Sequence, residues 1–255
     1  MIKTIKTMSK QEKERYTVPR KVQDVIPVRR IWPDGIFLVG NKFSKTYKFS
    51  DINYLVASRE DKESMFLTYS ELLNSLDSGA VTKITINNRR MNQANFETSI
   101  LMPMQGDFRD EYRGEYNQML LDKATGANGI TQEKYITISV VKKDVEEARA
   151  YFSRVGADLI SHFAALGSKC VELDATERLR ILHDFYRQGE ETEFVFNARE
   201  MMKRGHSFKD YICPDGIEKN SDYLKLGGKF CRVLLLKDYA SYIKANMVTE
   251  LTDFN

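Results

Sequence analysis

The heptapeptide Tyr135-Ile-Thr-Ile-Ser-Val-Val141 opens the stretch that decides the fold, which continues to Arg187. Its residues alternate and are rich in β-branched side chains, so the heptapeptide is predicted to be a strand. Asp144 then lies where a helix N-cap belongs, and Glu147 three residues later completes the pattern of a capping box. Apolar residues recur every three or four positions up to Gly167, where the helix is expected to stop. This stripe consists of Val145, Ala148, Phe152, Val155, Leu159, Phe163 and Leu166.

A second helix is predicted directly after the first. The segment Asp174-Ala-Thr-Glu177 repeats the capping-box pattern. The apolar residues that follow it are Leu179, Leu182, Phe185 and Tyr186. A strand and two helices with apolar faces form a core, so the most regular part of the sequence concerns packing rather than a functional site.

The composition predicts a soluble protein of the cytosol. A chain of 255 residues, 42% of them hydrophobic, is long enough for one large or two small domains. Its three cysteines lie far apart, which is typical of a reducing compartment rather than of a disulfide framework. The N-terminus lacks the apolar segment of a signal peptide, and no apolar run approaches the ~20 residues of a membrane span.

Charge is concentrated at the N-terminus, and residues 1–30 are predicted to be a flexible basic arm. This segment carries nine Lys or Arg against three acidic residues, a net charge of +6, whereas the rest of the chain has a net charge of −3. The arm has three interpretations: a solvated leader, a segment attracted to an anionic membrane surface, or, less favoured because the body is acidic, a contact for nucleic acid. The candidate residues for an anionic surface are Lys3, Lys6, Lys10, Lys13, Arg15, Arg20 and Lys21.

The residues after the arm predict a small β-meander followed by a helix and a strand. The strands of the meander are expected in 25–31, 36–39 and 46–50, with glycine-containing turns between them. A helix is predicted from Ser58 to Leu76, and an alternating strand from Val81 to Ile86. The helix is expected to place on one side Met65, Phe66, Tyr69, Leu72, Leu73 and Leu76.

The remaining segments complete the predicted fold. A charged, amphipathic helix is expected over 108–123, a strand over 193–197, a short helix over 198–203, and a strand pair over 223–226 and 230–236 that Gly227-Gly228 joins. Residues 31–255 are therefore expected to form an α+β domain. It would have an antiparallel sheet with helices on one face, partly ferredoxin-like, after the β-meander. Val248, Leu251 and Phe254 have helical spacing and no cap, which indicates either a frayed terminal helix or a piece of a longer parent.

No motif predicts catalysis, a cofactor or a metal site. A phosphate-binding loop needs Gly-x-x-x-x-Gly-Lys-Ser/Thr, but Gly228-Lys229 is followed by Phe230 and preceded at the required distance by Tyr223. The run Val233 to Asp238 resembles a magnesium-binding strand of ATPases only superficially, and a buried strand is the expected structure.

The histidines and carboxylates also give no site. His162 and His183 lie on predicted helices, and His206 with Cys213 gives only two of the ligands that a metal needs. The carboxylates lie mostly beside Lys and Arg on helix faces, as on solvated surfaces. The residues by themselves therefore predict a binding or assembly module.

Six segments together resemble one family, the large motor ATPase of conjugative type IV secretion. This is the VirB-four/TrbE/CagE class, in the version carried by integrative conjugative elements of Gram-positive bacteria. The resemblance extends from about Asp24 to the last residue. The segments are Tyr47–Lys62, Lys83–Arg90, Leu121–Gly129, Glu147–Phe152, Gly205–Pro214 and Lys237–Lys244.

The resemblance implies a non-catalytic N-terminal domain. Members of this family continue into a C-terminal RecA-like motor that holds the phosphate loop, so ATP and Mg²⁺ are expected only in a full-length parent. The implied role is docking of the motor onto inner-membrane channel subunits and self-association within a hexameric motor, at the cytoplasmic face of the cell membrane. The alternative is a free-standing conjugal transfer protein that binds nucleic acid through the basic arm. Salt would weaken such nucleic-acid binding steeply.

Overall fold

The computed structural model describes residues 19–235, except residues 53, 55, 91–100, 127–129 and 192. The predicted terminal helix around Val248, Leu251 and Phe254 lies outside these residues. The helices are α1 (Val22–Val25), α2 (Arg59–Asn74), α3 (Asp110–Gly126), α4 (Val145–Ala165), α5 (Ala175–Tyr186) and α6 (Ala198–Arg204), with a 3₁₀ helix at Phe208–Tyr211. The strands are β1 (Val28–Ile31), β2 (Phe37–Val39), β3 (Lys42–Phe49), β4 (Val81–Arg90), β5 (Ile130–Val140), β6 (Cys170–Glu172), β7 (Ile217–Lys219), β8 (Leu224–Leu226) and β9 (Lys229–Cys231).

The main sheet is antiparallel and has the strand order β1-β2-β3-β5-β4, with β6 paired to the C-terminal half of β3. The elements β3, α2, β4, β5, α4 and β6 occur in this order along the chain and form a βαββαβ unit, into which α3 is inserted between β4 and β5. Their spatial order is β6-β3-β5-β4, so β5 lies between β3 and β4 and runs antiparallel to both. This split βαβ arrangement is ferredoxin-like. The predicted α+β fold is therefore confirmed.

The predicted β-meander is formed by β1, β2 and β3 and is continuous with the main sheet. Its first turn depends on Gly35, which has a φ of +78°. A Cβ atom at this position would overlap the backbone carbonyl oxygen of Leu173, so only glycine fits.

Two hydrophobic clusters lie on opposite sides of the meander strands. The first contains Ile36 and Tyr47 and is covered by α2 and α4. The second contains Phe37, the neighbour of Ile36, and is covered by α5 and the 3₁₀ helix. Because successive strand residues point to opposite faces, α5 packs on the side of the meander opposite α4.

The second cluster also includes the end of the segment predicted as a basic arm. Ile26 and Val28 are buried in it. The ordered domain therefore begins before residue 31. Residues 1–18 lie outside the described part.

The helix boundaries follow the predicted capping residues. The side chain of Asp144 accepts a hydrogen bond from the Glu147 backbone N–H, but the Glu147 carboxylate bonds to the Lys143 N–H, so the predicted box is only half formed. At α5 both bonds between Asp174 and Glu177 are present. Helix α4 ends at Ala165, just before Gly167, as predicted.

Three predicted elements differ from the structure. Residues 193–197 are not a strand, because Phe194 and Phe196 pack against the second cluster while Val195 is 77% exposed, without a strand partner among the described residues. The strand after Gly227-Gly228 ends at Cys231, and Leu234 is 86% exposed, so the prediction of a buried strand from Val233 is wrong for the described residues 233–235. Strand β4 continues four residues beyond Ile86, because it stays paired with β5.

Helix α3 is formed, but its apolar side chains do not pack into a core. None of its described residues belongs to either hydrophobic cluster. Tyr112, Tyr116 and Met119 are exposed. Arg113 links the helix to the preceding loop by an ion pair with Asp107 at 2.5 Å, and it also bonds to Asp110 in the first turn of the helix at 2.6 Å.

Candidate docking surface

The predicted contacts for an anionic surface lie mostly outside the described residues. Arg20 and Lys21 are described and are exposed just before α1. The other five candidates (Lys3, Lys6, Lys10, Lys13 and Arg15) precede residue 19. No helix in the described part of the chain is long and apolar enough to cross a membrane.

The Gly-Lys pair and His183 lie in structural positions, whereas His206 is exposed and lies 3.6 Å from Asp210. Gly227 and Gly228 form the turn between β8 and β9, as predicted. His183 is buried against the ring of Phe194, with ring centroids 5.1 Å apart. Burial raises the pKa of the Cys213 thiol, which favours the protonated form over the thiolate that metals bind.

Helix α2 carries the largest departure from the predicted packing, and its residues form the candidate site. Ser58 caps the helix by accepting a hydrogen bond from the Asp61 N–H at 3.1 Å. Leu72 is fully buried in the first cluster, and Met65 and Leu76 pack against it. Met65 and Leu72 lie on one line along the helix, since they are seven residues apart, and Leu76 follows just beyond its end.

A second apolar line on α2 faces outward. Phe66 is 67% exposed, Leu67 62% and Leu73 40%, and Tyr69 is also exposed. Phe66, Tyr69 and Leu73 were expected on one side of the helix with Leu72, and the structure shows that only part of this side is buried. The physical reason is that each residue turns the helix by about 100°, so the line through Phe66 and Leu73 lies beside the buried line through Met65 and Leu72 rather than on it.

Tyr54, in the loop before α2, adds a further exposed aromatic ring to this face. We call Tyr54, Phe66, Leu67, Tyr69 and Leu73 the α2 surface.

A shallow groove runs along part of the α2 surface. It has a volume of about 570 Å³, and its lining residues are Tyr54, Arg59, Lys62, Glu63, Phe66 and Leu67. The charged groups of its rim are braced: Arg59 Nε lies 3.2 Å from Glu63 Oε1, and Lys62 Nζ lies 5.4 Å from the centre of the Tyr54 ring. The floor is apolar and the rim is charged, an arrangement that holds an apolar side chain of a protein partner.

The signal for this surface is present in the sequence but is ambiguous. Adjacent apolar residues at 65–66 and 72–73 repeat seven residues apart, so two neighbouring lines of the helix are apolar. Periodicity shows that both lines exist, but it does not show which one faces the core. No protein-family model matches the chain, and a search of curated proteins found no significant match.

Proposed function

We propose that this domain is a non-catalytic docking and assembly module of a conjugative type IV secretion ATPase, the class that its sequence resembles. The observation that carries the proposal is the α2 surface, an exposed apolar face on a helix whose neighbouring line of residues is buried in the core. Exposed apolar patches bordered by charged residues mark sites of protein association. The proposed occupant is a cytoplasmic segment of an inner-membrane channel subunit.

The energetics of the α2 surface favour association. Full burial of a Leu or Phe side chain contributes about 1.5–3 kcal/mol. Phe66 and Leu73 lie on the same line two helical turns apart, which matches the spacing at which an amphipathic helix presents its own apolar anchors. The partner segment is therefore expected to be an amphipathic helix with apolar residues seven apart. Acidic residues at its flank would lie beside Arg59 and Lys62 of the rim.

The docking proposal is tested by binding to the cytoplasmic segments of the inner-membrane channel subunits encoded alongside this chain. The full chain is expected to bind one of them, and Phe66→Ser with Leu73→Ser is expected to weaken binding at least about tenfold, because each lost apolar anchor costs more than about 1 kcal/mol. Val195→Ser is the control, since Val195 is also an exposed apolar residue and lies outside the α2 surface. Binding that survives the double change would contradict the proposal.

A peripheral location at the membrane is the second part of the proposal. Its support is the sequence, which places +6 of charge in residues 1–30. A basic segment adds about 1 kcal/mol of attraction per residue near an anionic leaflet, screened over about 8 Å at physiological salt. Sedimentation with anionic vesicles is expected to fall when the chain starts at Pro19, which leaves the core residue Ile26 in place. Equal sedimentation by both chains, or equal binding to neutral vesicles, would exclude residues 1–18 as a membrane contact.

Absence of nucleotide chemistry is the third part. Mg²⁺-ATP is expected neither to raise the melting temperature of the chain nor to be hydrolysed by it, because the sequence has no phosphate loop. Thermal shift and phosphate release measure the two effects. Turnover above a buffer blank would place an active site in this chain.

A further inference from the structure

The insertion between β4 and β5 presents apolar side chains that belong to neither hydrophobic cluster. Phe108, just before α3, is 83% exposed, and Tyr112, in the first turn of the helix, is 68% exposed. Tyr116 and Met119 follow at spacings of four and three residues and are also exposed, so they form one line along the helix with Tyr112. We call Phe108 and this line the α3 surface.

The opposite side of α3 is covered by the loop that precedes it. The Asn117 side chain accepts a hydrogen bond from the Met102 N–H at 2.8 Å and donates one to the Met102 carbonyl oxygen at 2.9 Å. The Asp110 carboxylate accepts hydrogen bonds from the backbone N–H groups of Gln105 at 3.0 Å and Gly106 at 2.7 Å. Because Asp110 and Asn117 are two helical turns apart, they lie on one side of α3, and the α3 surface faces away from them. Most of the stability of a helix in a protein comes from packing of its apolar face, so an occupant of the α3 surface is expected.

A row of acidic residues lies next to the α3 surface. Glu111, Glu115 and Asp122 are exposed, and their spacings of four and seven residues place them on one line beside that surface. Within the described part of the chain, no ion pair or hydrogen bond involves the carboxylate of Glu111 or Glu115. The lining residues of a shallow groove of about 590 Å³ at this row are Glu115, Gln118, Met119, Asp122 and Lys123. The occupant of the α3 surface is therefore expected to combine apolar with cationic side chains.

One segment of the chain itself has the charge that this row requires. Three segments of more than three residues lie outside the described part, namely 1–18, 91–100 and 236–255. Residues 1–18 contain five Lys or Arg and two Glu, whereas residues 91–100 contain one Glu and no basic residue. Residues 236–255 contain two Lys and three acidic residues. Of the three segments, only residues 1–18 have a net positive charge.

The pattern and the length of residues 1–18 also fit the α3 surface. The lysines with the spacing of one helical face are Lys3, Lys6, Lys10 and Lys13. Ile2 and Ile5 adjoin the first two of them. An extended segment of this length spans at most roughly 60 Å, whereas a compact domain of the described size has a radius of gyration of roughly 17 Å. A segment attached at Pro19 is therefore long enough to reach α3.

We propose that residues 1–18 fold back onto the α3 surface of the same chain. Their apolar residues Ile2, Ile5 and Met8 would pack on the exposed rings of α3, and their lysines would lie beside the acidic row. Lysines held in this way are withheld from an anionic surface, so the contact competes with the membrane attraction proposed above. The inference rests on neither the α2 surface nor that attraction, and it can fail without them.

The test is photo-crosslinking of the full chain in dilute solution. A photoreactive phenylalanine analogue replaces Tyr116, which is 44% exposed, or Tyr223, which is 40% exposed and lies just before β8. Mass mapping is expected to find crosslinks from position 116 to residues 1–18, in a product with the mass of one chain, and none to them from position 223. Absence of these crosslinks, crosslinks that join two chains, or equal yields from position 223 would overturn the proposal.

Charge reversal tests the acidic row. Glu111→Lys with Glu115→Lys is expected to lower the crosslink yield from position 116 about fivefold, because attractive ion pairs become repulsive. Lys3→Glu with Lys6→Glu is expected to do the same, and the four changes together are expected to restore the yield. Restoration requires that the altered helix is folded and that the two charged rows face each other.

The matched control makes the same charge change elsewhere. Glu71→Lys with Glu193→Lys alters two exposed residues outside α3 and is expected to leave the yield unchanged. An unchanged yield after reversal of the acidic row, no restoration in the combined variant, or an equal loss in the control would overturn the proposal.

Discussion

Helices α4 and α2 cover the same face of the sheet, but they divide their apolar residues differently between core and solvent. All but one of the seven stripe residues of α4 are buried in the first cluster, and the remaining one, Val145, packs against it. Helix α2 buries only Leu72 completely and leaves Phe66, Leu67 and Leu73 exposed. A similar apolar periodicity therefore gives one helix whose apolar residues pack into the core and one helix with an exposed apolar face.

Helix α4 packs directly against strand β3. The ring of Phe163 on α4 stacks on Phe49 of β3 with centroids 4.9 Å apart, and Tyr47 donates a hydrogen bond to the Phe152 carbonyl oxygen at 3.3 Å. Gly156 allows this approach, because a Cβ atom there would lie 2.8 Å from the Tyr47 hydroxyl. Helix α4 is thus fitted to β3, whereas α2 contributes to the core through a single line of residues.

The largest expected difference in stability is between alanine variants of two phenylalanines. Phe152→Ala is expected to lower the free energy of unfolding by about 3–5 kcal/mol, because it removes a fully buried ring and leaves a cavity. Phe66→Ala is the matched change on α2, and is expected to alter stability by no more than about 0.5 kcal/mol. Urea unfolding measures both. Similar losses in the two variants would show that the line through Phe66 is buried.

The next largest difference in stability is expected between alanine variants of two adjacent leucines in α2. Leu72→Ala is expected to cost about 2–5 kcal/mol, since Leu72 is fully buried. Leu73→Ala is expected to cost much less, because Leu73 is 40% exposed. Denaturation of the two variants under the same conditions compares them. A larger loss for Leu73→Ala would reverse the assignment of the two faces.

Replacement of two different glycines by alanine is expected to change stability in opposite directions. Gly156→Ala is expected to destabilise the domain by about 1–3 kcal/mol, because the added methyl group meets Tyr47 and Glu172 within 3 Å. Gly114→Ala, in the exposed helix α3, meets only the Met104 methyl group at 3.6 Å and is expected to stabilise by up to about 1 kcal/mol through helix propensity. Melting temperatures report the signs directly. A stabilising Gly156→Ala would contradict the close approach of α4 to β3.

The smallest expected losses of stability come from replacing the N-cap residues, and similar losses are predicted for the two helices. Asp144 caps α4 and Ser58 caps α2, each by accepting one backbone hydrogen bond. Replacement of either by Ala is expected to cost about 1 kcal/mol. Unfolding of the two single variants tests this equality. A loss at Asp144 without one at Ser58 would show that α2 contributes little to the stability of the folded domain.

The sequence predicts α4 more completely than α2 for a physical reason. Helix α4 has one apolar line, so the buried face follows from periodicity. Helix α2 has two adjacent apolar lines, and only the tertiary position of the helix decides between Met65 and Phe66. Extended apolar segments are ambiguous in a similar way, because the run after Cys231 needs a partner strand that sequence patterns do not specify.

Arg178 is the residue whose role sequence patterns do not reveal at all. A charged residue on a predicted helix is expected to face solvent, but Arg178 is buried and binds the meander. Its Nη1 atom donates to the carbonyl oxygens of Gly35 at 2.6 Å and Ser44 at 2.7 Å, and its guanidinium lies 4.0 Å from the centre of the Phe37 ring. Burial lowers the pKa of Arg178 to about 9. These partners are far away in sequence, so no local pattern indicates them.

The most direct test of the α2 surface as a docking site is site-specific photo-crosslinking in cells that express the channel subunits. A photoreactive phenylalanine analogue replaces Phe66, Tyr69 or Leu73 in turn, with Val195 as the exposed control position. Docking through α2 predicts crosslinks from the three α2 positions to one inner-membrane channel subunit and none from position 195. Crosslinks of equal yield from position 195, or none from α2 to any channel subunit, would contradict the proposed function.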